Sequence, residues 1–117
     1  MRRVVHVVRL TVALRPCATK IQDLVDAFRF LLATTRLEPG CLGAWVWTDP
    51  DSVVHYLEEW ATEGDMRHRV QSPRFTPVLG LLESSQDDPH LQFDFVTMTR
   101  GLDYVAEVRH DAAKLDP

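Results

Sequence analysis

The sequence has little cysteine, no asparagine, no clustered positive charge and no long apolar run. The two cysteines, Cys17 and Cys41, lie far apart and form neither a CxxC motif nor a zinc-binding spacing. Reduced thiols in a cytoplasmic protein are the expectation. No glycine-rich phosphate loop, nucleophile elbow or HExxH motif is present. The longest apolar stretch is too short to cross a bilayer, which argues against a membrane partner. Met1-Arg2-Arg3 ahead of Val4-Val5 has the outline of a signal-peptide start. However, His6 and Arg9 break the run and no small-residue cleavage site follows, so a first β-strand is the better reading. Arginines are scattered and the net charge is −4. Phosphate binding needs clustered positive charge, so nucleic acid is not an expected partner.

What remains suits one packed domain. The chain has 117 residues, 45% hydrophobic and 26% charged, which rules against disorder. Val4 to Leu14 alternates as a strand, with Val8, Leu10, Val12 and Leu14 on one face and Arg9, Thr11 and Ala13 on the other. Thr19 can cap a helix running to about Arg36, with Ile21, Leu24, Val25, Phe28, Leu31 and Leu32 along one side. Glu38-Pro39-Gly40 stops it. Cys41 to Thr48 and Val53 to Trp60 form a hairpin about the Asp49-Pro50-Asp51-Ser52 turn. Thr62 can cap a short helix, Ser72-Pro73 interrupts it, and a second short helix turns Phe75, Val78, Leu79 and Leu82 inward. Glu83 to His90 is an acidic loop. Leu91 to Thr99 is a last strand, and residues 101–109 suit a terminal helical turn.

The order β-α-β-β-α-β gives an α+β fold of the ferredoxin-like kind, a four-stranded antiparallel sheet with helices on one face. One domain spans 1–117, with a core of about 4–99 and a tail over 100–117. The other sheet face still carries Val5, Val7, Ala13, Val96 and Met98. A second copy is the common way to cover such a face, so a homodimer forming an α+β barrel is expected. His55, which points away from Tyr56 and Trp60, would enter that interface.

Three short motifs follow one another: Glu38-Pro39-Gly40-Cys41, Glu58-Glu59-Trp60, and Ser72-Pro73-Arg74-Phe75. In this order and spacing the chain, over roughly residues 5–99, resembles the antibiotic biosynthesis monooxygenase (ABM) domain family. The resemblance implies a cofactor-independent monooxygenase, without flavin or metal, acting on a small aromatic, phenolic or quinol-type compound. The second reading is a non-catalytic barrel that binds a small apolar molecule. In the family a histidine commonly precedes the serine of S-P-x-F by three residues. Here Arg69 stands there and His68 precedes it, and one residue on a helix turns a side chain by about 100°. Haem degradation, also found on this fold, needs an asparagine on the first strand and a histidine on the second helical region. The chain has no asparagine, and Thr76 to Gly80 offers no histidine.

Such chemistry needs one base and a dry, aromatic-walled pocket. His6 and His68 are the candidate bases, since imidazole titrates near neutral pH when unperturbed. Trp60, Tyr56, Phe28 and Phe75 are candidate walls. Arg69 is a candidate anion contact, with simple solvation its plainer alternative. Asp87, Asp88 and His90 are close in sequence but read as a solvated loop, so no metal site is expected.

Overall fold

The computed structural model describes residues 6–115. Four strands and four helices follow in the order β1 (Val7–Leu14), α1 (Ile21–Arg36), β2 (Cys41–Thr48), β3 (Val54–Trp60), α2 (Glu63–Gln71), α3 (Thr76–Leu82), β4 (His90–Val96) and α4 (Leu102–Leu115). The sheet is antiparallel with strand order β2-β3-β1-β4. This is the ferredoxin-like α+β arrangement that the strand and helix order predicts.

Alternation divides each strand between two faces. On the helix side Leu10, Val12 and Leu14 of β1 pack with Val54 and Tyr56 of β3 and with Leu24, Val25, Phe28 and Leu32 of α1, and Val8 packs with Trp60 and Met66. The Phe28 and Tyr56 rings lie 4.7 Å apart at a tilt, a favourable aromatic geometry. Burying each of these large side chains contributes roughly 1.5–3 kcal/mol.

The turn after α1 meets the start of α2. Gly40 has φ +83°, and a Cβ there would stand 2.2 Å from Cγ of Asp65. Asp65 donates its backbone N–H to Thr62 Oγ1 at 3.0 Å, so Thr62 caps α2 as its position predicts. The Gly40 carbonyl accepts from Ala61 N–H at 2.8 Å. The glycine after α1 thus lets the chain turn and lets the capped end of α2 approach.

Several local expectations differ from the structure. The start of β1 at Val4, together with Val5, lies outside the described residues; within them β1 begins at Val7. Thr19 does not cap α1, because its hydroxyl sits 3.4 Å from Cys17 Sγ inside a 3-10 turn, Ala18–Lys20. β3 starts at Val54 and β4 ends at Val96, short of Thr99. Leu79 faces solvent, since Val78 takes the buried position of α3. The terminal turn is a longer helix, α4, stabilised at its start by Arg100 over the Tyr104 ring and against Glu107.

The open face of the sheet is only half apolar. On the β2-β3 side stand Trp45, Trp47 and Leu57, with His55 stacked on Trp47 at 5.2 Å between ring centroids. On the β1-β4 side Arg9 pairs with Glu59 at 3.0 Å, and Gln92 donates to Asp94. The expected run of apolar residues across this face is therefore interrupted by an ion pair and an amide–carboxylate bond.

Candidate functional site

The three motifs converge at one end of the helix side. Glu58 sits in β3 between Tyr56 and Trp60, and the period of two turns all three toward the helices. Its carboxylate is wholly buried. Tyr56 donates its hydroxyl to Oε2 at 2.6 Å, and Trp60 donates Nε1–H to Oε1 at 3.0 Å. From α2, Arg69 donates Nε–H to Oε1 at 3.2 Å and Nη2–H to Oε2 at 2.9 Å. This is a two-point fork of guanidinium on carboxylate.

The remaining Arg69 donors reach further. Nη2 also meets Thr35 Oγ1 at 3.1 Å, and Nη1 meets Glu38 Oε1 at 3.2 Å and the Arg74 carbonyl at 3.3 Å. A guanidinium has five N–H groups, and all five find acceptors. The Phe75 ring lies 5.4 Å from the Arg69 guanidinium carbon. Burial works against the Arg69 charge, but the hydrogen bonds and charge of Glu58, with Glu38 behind it, outweigh burial and hold the group above its ordinary range. Burial, reinforced by the Glu58 charge, pushes the Tyr56 hydroxyl far above its ordinary range. Tyr56 is therefore a permanent donor here, not a base.

Arg69 is 3% exposed, so the expectation of a solvated arginine is corrected. A lone buried cation is costly, and the two glutamates are the reason it can be buried. The sequence places Glu58 and Glu38 within the motifs without a role at the site, and nothing in it singles out Thr35. The available signal was an acidic residue on an otherwise apolar strand face, with a helical arginine downstream.

Two clefts flank this cluster and share Glu38, Pro39, Arg69 and Arg74 as walls. The larger, about 440 Å³, is completed by Leu31, Thr34, Thr35, Leu37 and Pro77. The smaller, about 280 Å³, is completed by Trp60, Asp65, His68 and Ser72. His68 and Trp60 are thus brought together with Arg69. His6 lies one residue before β1, has a buried Nδ1 without a hydrogen-bond partner, and lines neither cleft. Phe28, Tyr56 and Phe75 are core side chains beneath the cluster and line neither cleft. A third cleft, about 460 Å³, lies apart from this cluster and includes Cys17 and Leu81.

His55 is on the opposite sheet face, with Nε2 at 2.8 Å from Asp49 Oδ2. The hydrogen bond from His55, helped by the Val53 N–H, holds the Asp49 carboxyl below its ordinary value. Among the described residues no group of three or more histidine, cysteine or acidic side chains could hold a metal ion. No described helix is long and apolar enough to cross a membrane.

Comparison with solved structures gives the same architecture. A conserved protein from Methanosarcina mazei matches at 21% identity with a TM-score of 0.69, covering 80% of this chain and 95% of its own. A Bacteroides thetaiotaomicron protein described as a possible oxidoreductase matches at 18% identity and 0.67, covering 77% and 97%. A protein described as an antibiotic biosynthesis monooxygenase matches at 18% identity and 0.64, covering 80% and 98%. No curated protein matches the sequence. The family model for antibiotic biosynthesis monooxygenases matches residues 7–78, the stretch that builds the Glu58–Arg69 cluster and lines both clefts, and the chain belongs to that family.

Proposed function

We propose that the protein is a cofactor-independent monooxygenase that oxidises a small aromatic, phenolic or quinol-type compound, and that it acts as a cytoplasmic homodimer. One observation carries this reading: a fully hydrogen-bonded Tyr56–Glu58–Arg69 cluster separates two partly apolar clefts in a chain of this family. A rigid polar floor beside apolar walls is suited to fixing a ring in one orientation.

In such a reaction the substrate supplies the electrons. A base removes a phenolic proton, and the resulting anion reduces dioxygen. One oxygen atom enters a ring carbon as a carbonyl, and the other leaves as water with the phenolic proton and the hydrogen of that carbon. His68 lines the smaller cleft beside Trp60 and is the base, because imidazole is the side chain suited to proton transfer near neutral pH. Arg74 lines both clefts and offers its charge to the phenolate. Glu58 is excluded as the base: its two oxygens already accept four hydrogen bonds.

Oxygen uptake with a panel of quinols and anthrones tests the proposal. The expected result is one dioxygen consumed per product, with His68→Ala lowering kcat by about 10²-fold or more. No uptake across the panel overturns it. The engaged state of Glu58 and the exposure of His68 favour one second reading, a binding module without chemistry. A ligand that binds and is recovered with unchanged mass supports that reading.

The dimer rests on the open sheet face. Trp45 and Trp47 remain 43% and 45% exposed there, and a second sheet would cover them. His55 would then lie inside the interface.

A further inference from the structure

Among the described residues α4 is an amphipathic helix without a seat. Tyr104, Val105, Val108 and Ala112 fall within an arc of about 100°, while Asp103, Glu107 and His110 lie on the other side. Leu102, Tyr104, Val105 and Val108 are all between 46% and 85% exposed. The chain has a radius of gyration of 18.2 Å and a long axis of 59 Å, whereas a compact body of this length has about 13 Å. A lone helix of 14 residues is marginal in water and takes most of its stability from packing, as expected below about 15 residues.

We propose that α4 is an exchanged arm that packs its apolar stripe against a second copy of this chain, across the dimer of the preceding section. Area favours this occupant. Four strands about 4.8 Å apart and some seven residues long make a face on the order of 500 Å². A stable interface needs about 800 Å² per partner, and half of this face is polar. A strip about 10 Å wide along the 14 residues of α4 adds on the order of 200 Å². Given by one copy and received from the other, that strip brings each subunit past the requirement.

The seat is also visible. β4 is an edge strand, and Phe95 stands 46% exposed on its helix side. Residues 97–101 can span up to about 17 Å, enough to leave the body and reach a neighbour. The matched solved structures are covered over 95–98% of their own length but only 77–80% of this chain, so about a fifth of this chain lies outside the shared fold, room enough for the arm.

Sedimentation of the full chain over a concentration series is the test. Val105→Glu with Val108→Glu is expected to raise the dimer Kd about tenfold or more. A Kd equal to that of the parent overturns the arm. Trp47→Glu examines the sheet face separately: a raised Kd keeps the sheet-to-sheet dimer even where the arm fails, and an unchanged Kd overturns both that dimer and the arm across it. A photo-reactive side chain at position 108, in mixed heavy and light chains, identifies what α4 touches. Cross-links between copies that map to β4 support the proposal. Cross-links confined to one chain, or a parent chain that stays monomeric throughout, overturn it.

Discussion

The two faces of the one sheet solve the burial of charge in opposite ways. On the helix side Arg69 and Glu58 are both almost or fully buried and every donor and acceptor is matched. On the open side Arg9 and Glu59 pair at a similar distance, but with side chains 47% and 23% exposed. The first pair is inseparable from the fold, because a buried charge without its partner has nowhere to go. The second is surrounded by water and contributes little. Like contacts, read from distance alone, therefore carry unlike weight.

Substitution makes that contrast measurable. Arg69→Ala is expected to have the largest effect, a loss of about 3–5 kcal/mol in urea unfolding, since Glu58 is left buried and charged. Arg9→Ala is expected to cost under about 1 kcal/mol. Equal costs would break the comparison. Gly40→Ala comes next, at about 1–3 kcal/mol, because φ is positive and Asp65 occupies the space. Thr62→Ala, which removes the α2 cap, is expected to cost about 1 kcal/mol.

The smallest effect belongs to the open face and depends on pH. The Asp49 carboxyl is depressed by His55, so the unfolded chain binds its proton more readily. The contribution is present above the unfolded carboxylate value, about 3.9, and is lost as pH falls through the lower folded one. The urea midpoints of the parent and Asp49→Asn should differ at neutral pH and converge in strong acid. A difference that persists in acid would show that Asp49 acts through its turn bonds to Asp51 and Val53 rather than through its charge.

Much of the fold was legible because periodicity is local. Alternation in β1 and the three-and-four spacing in α1 name the buried residues directly. The motifs also pointed to the right end of the molecule, since Glu38, Trp60 and Ser72 all border the clefts. What was not legible depends on chain crossings. A sequence shows a helical arginine. It does not show that Glu58, eleven residues earlier, and Glu38, thirty-one residues earlier, arrive to surround it. For the same reason Thr19 looked like a cap, and only the 3-10 turn before α1 shows it engaged with Cys17. The sequence suggests only a terminal turn over 101–109, because the stripe has no partner among the described residues and an amphipathic pattern alone does not say where a helix ends.

The engagement of Arg69 also limits how this protein can recognise anything. A side chain with no free hand cannot greet a visitor without letting go of a neighbour. The cluster is thus better viewed as a keystone than as a grip. The replaceable stones around it are the other cleft walls, Leu37, Pro39, Arg74 and Pro77, which can change while the same arch is kept.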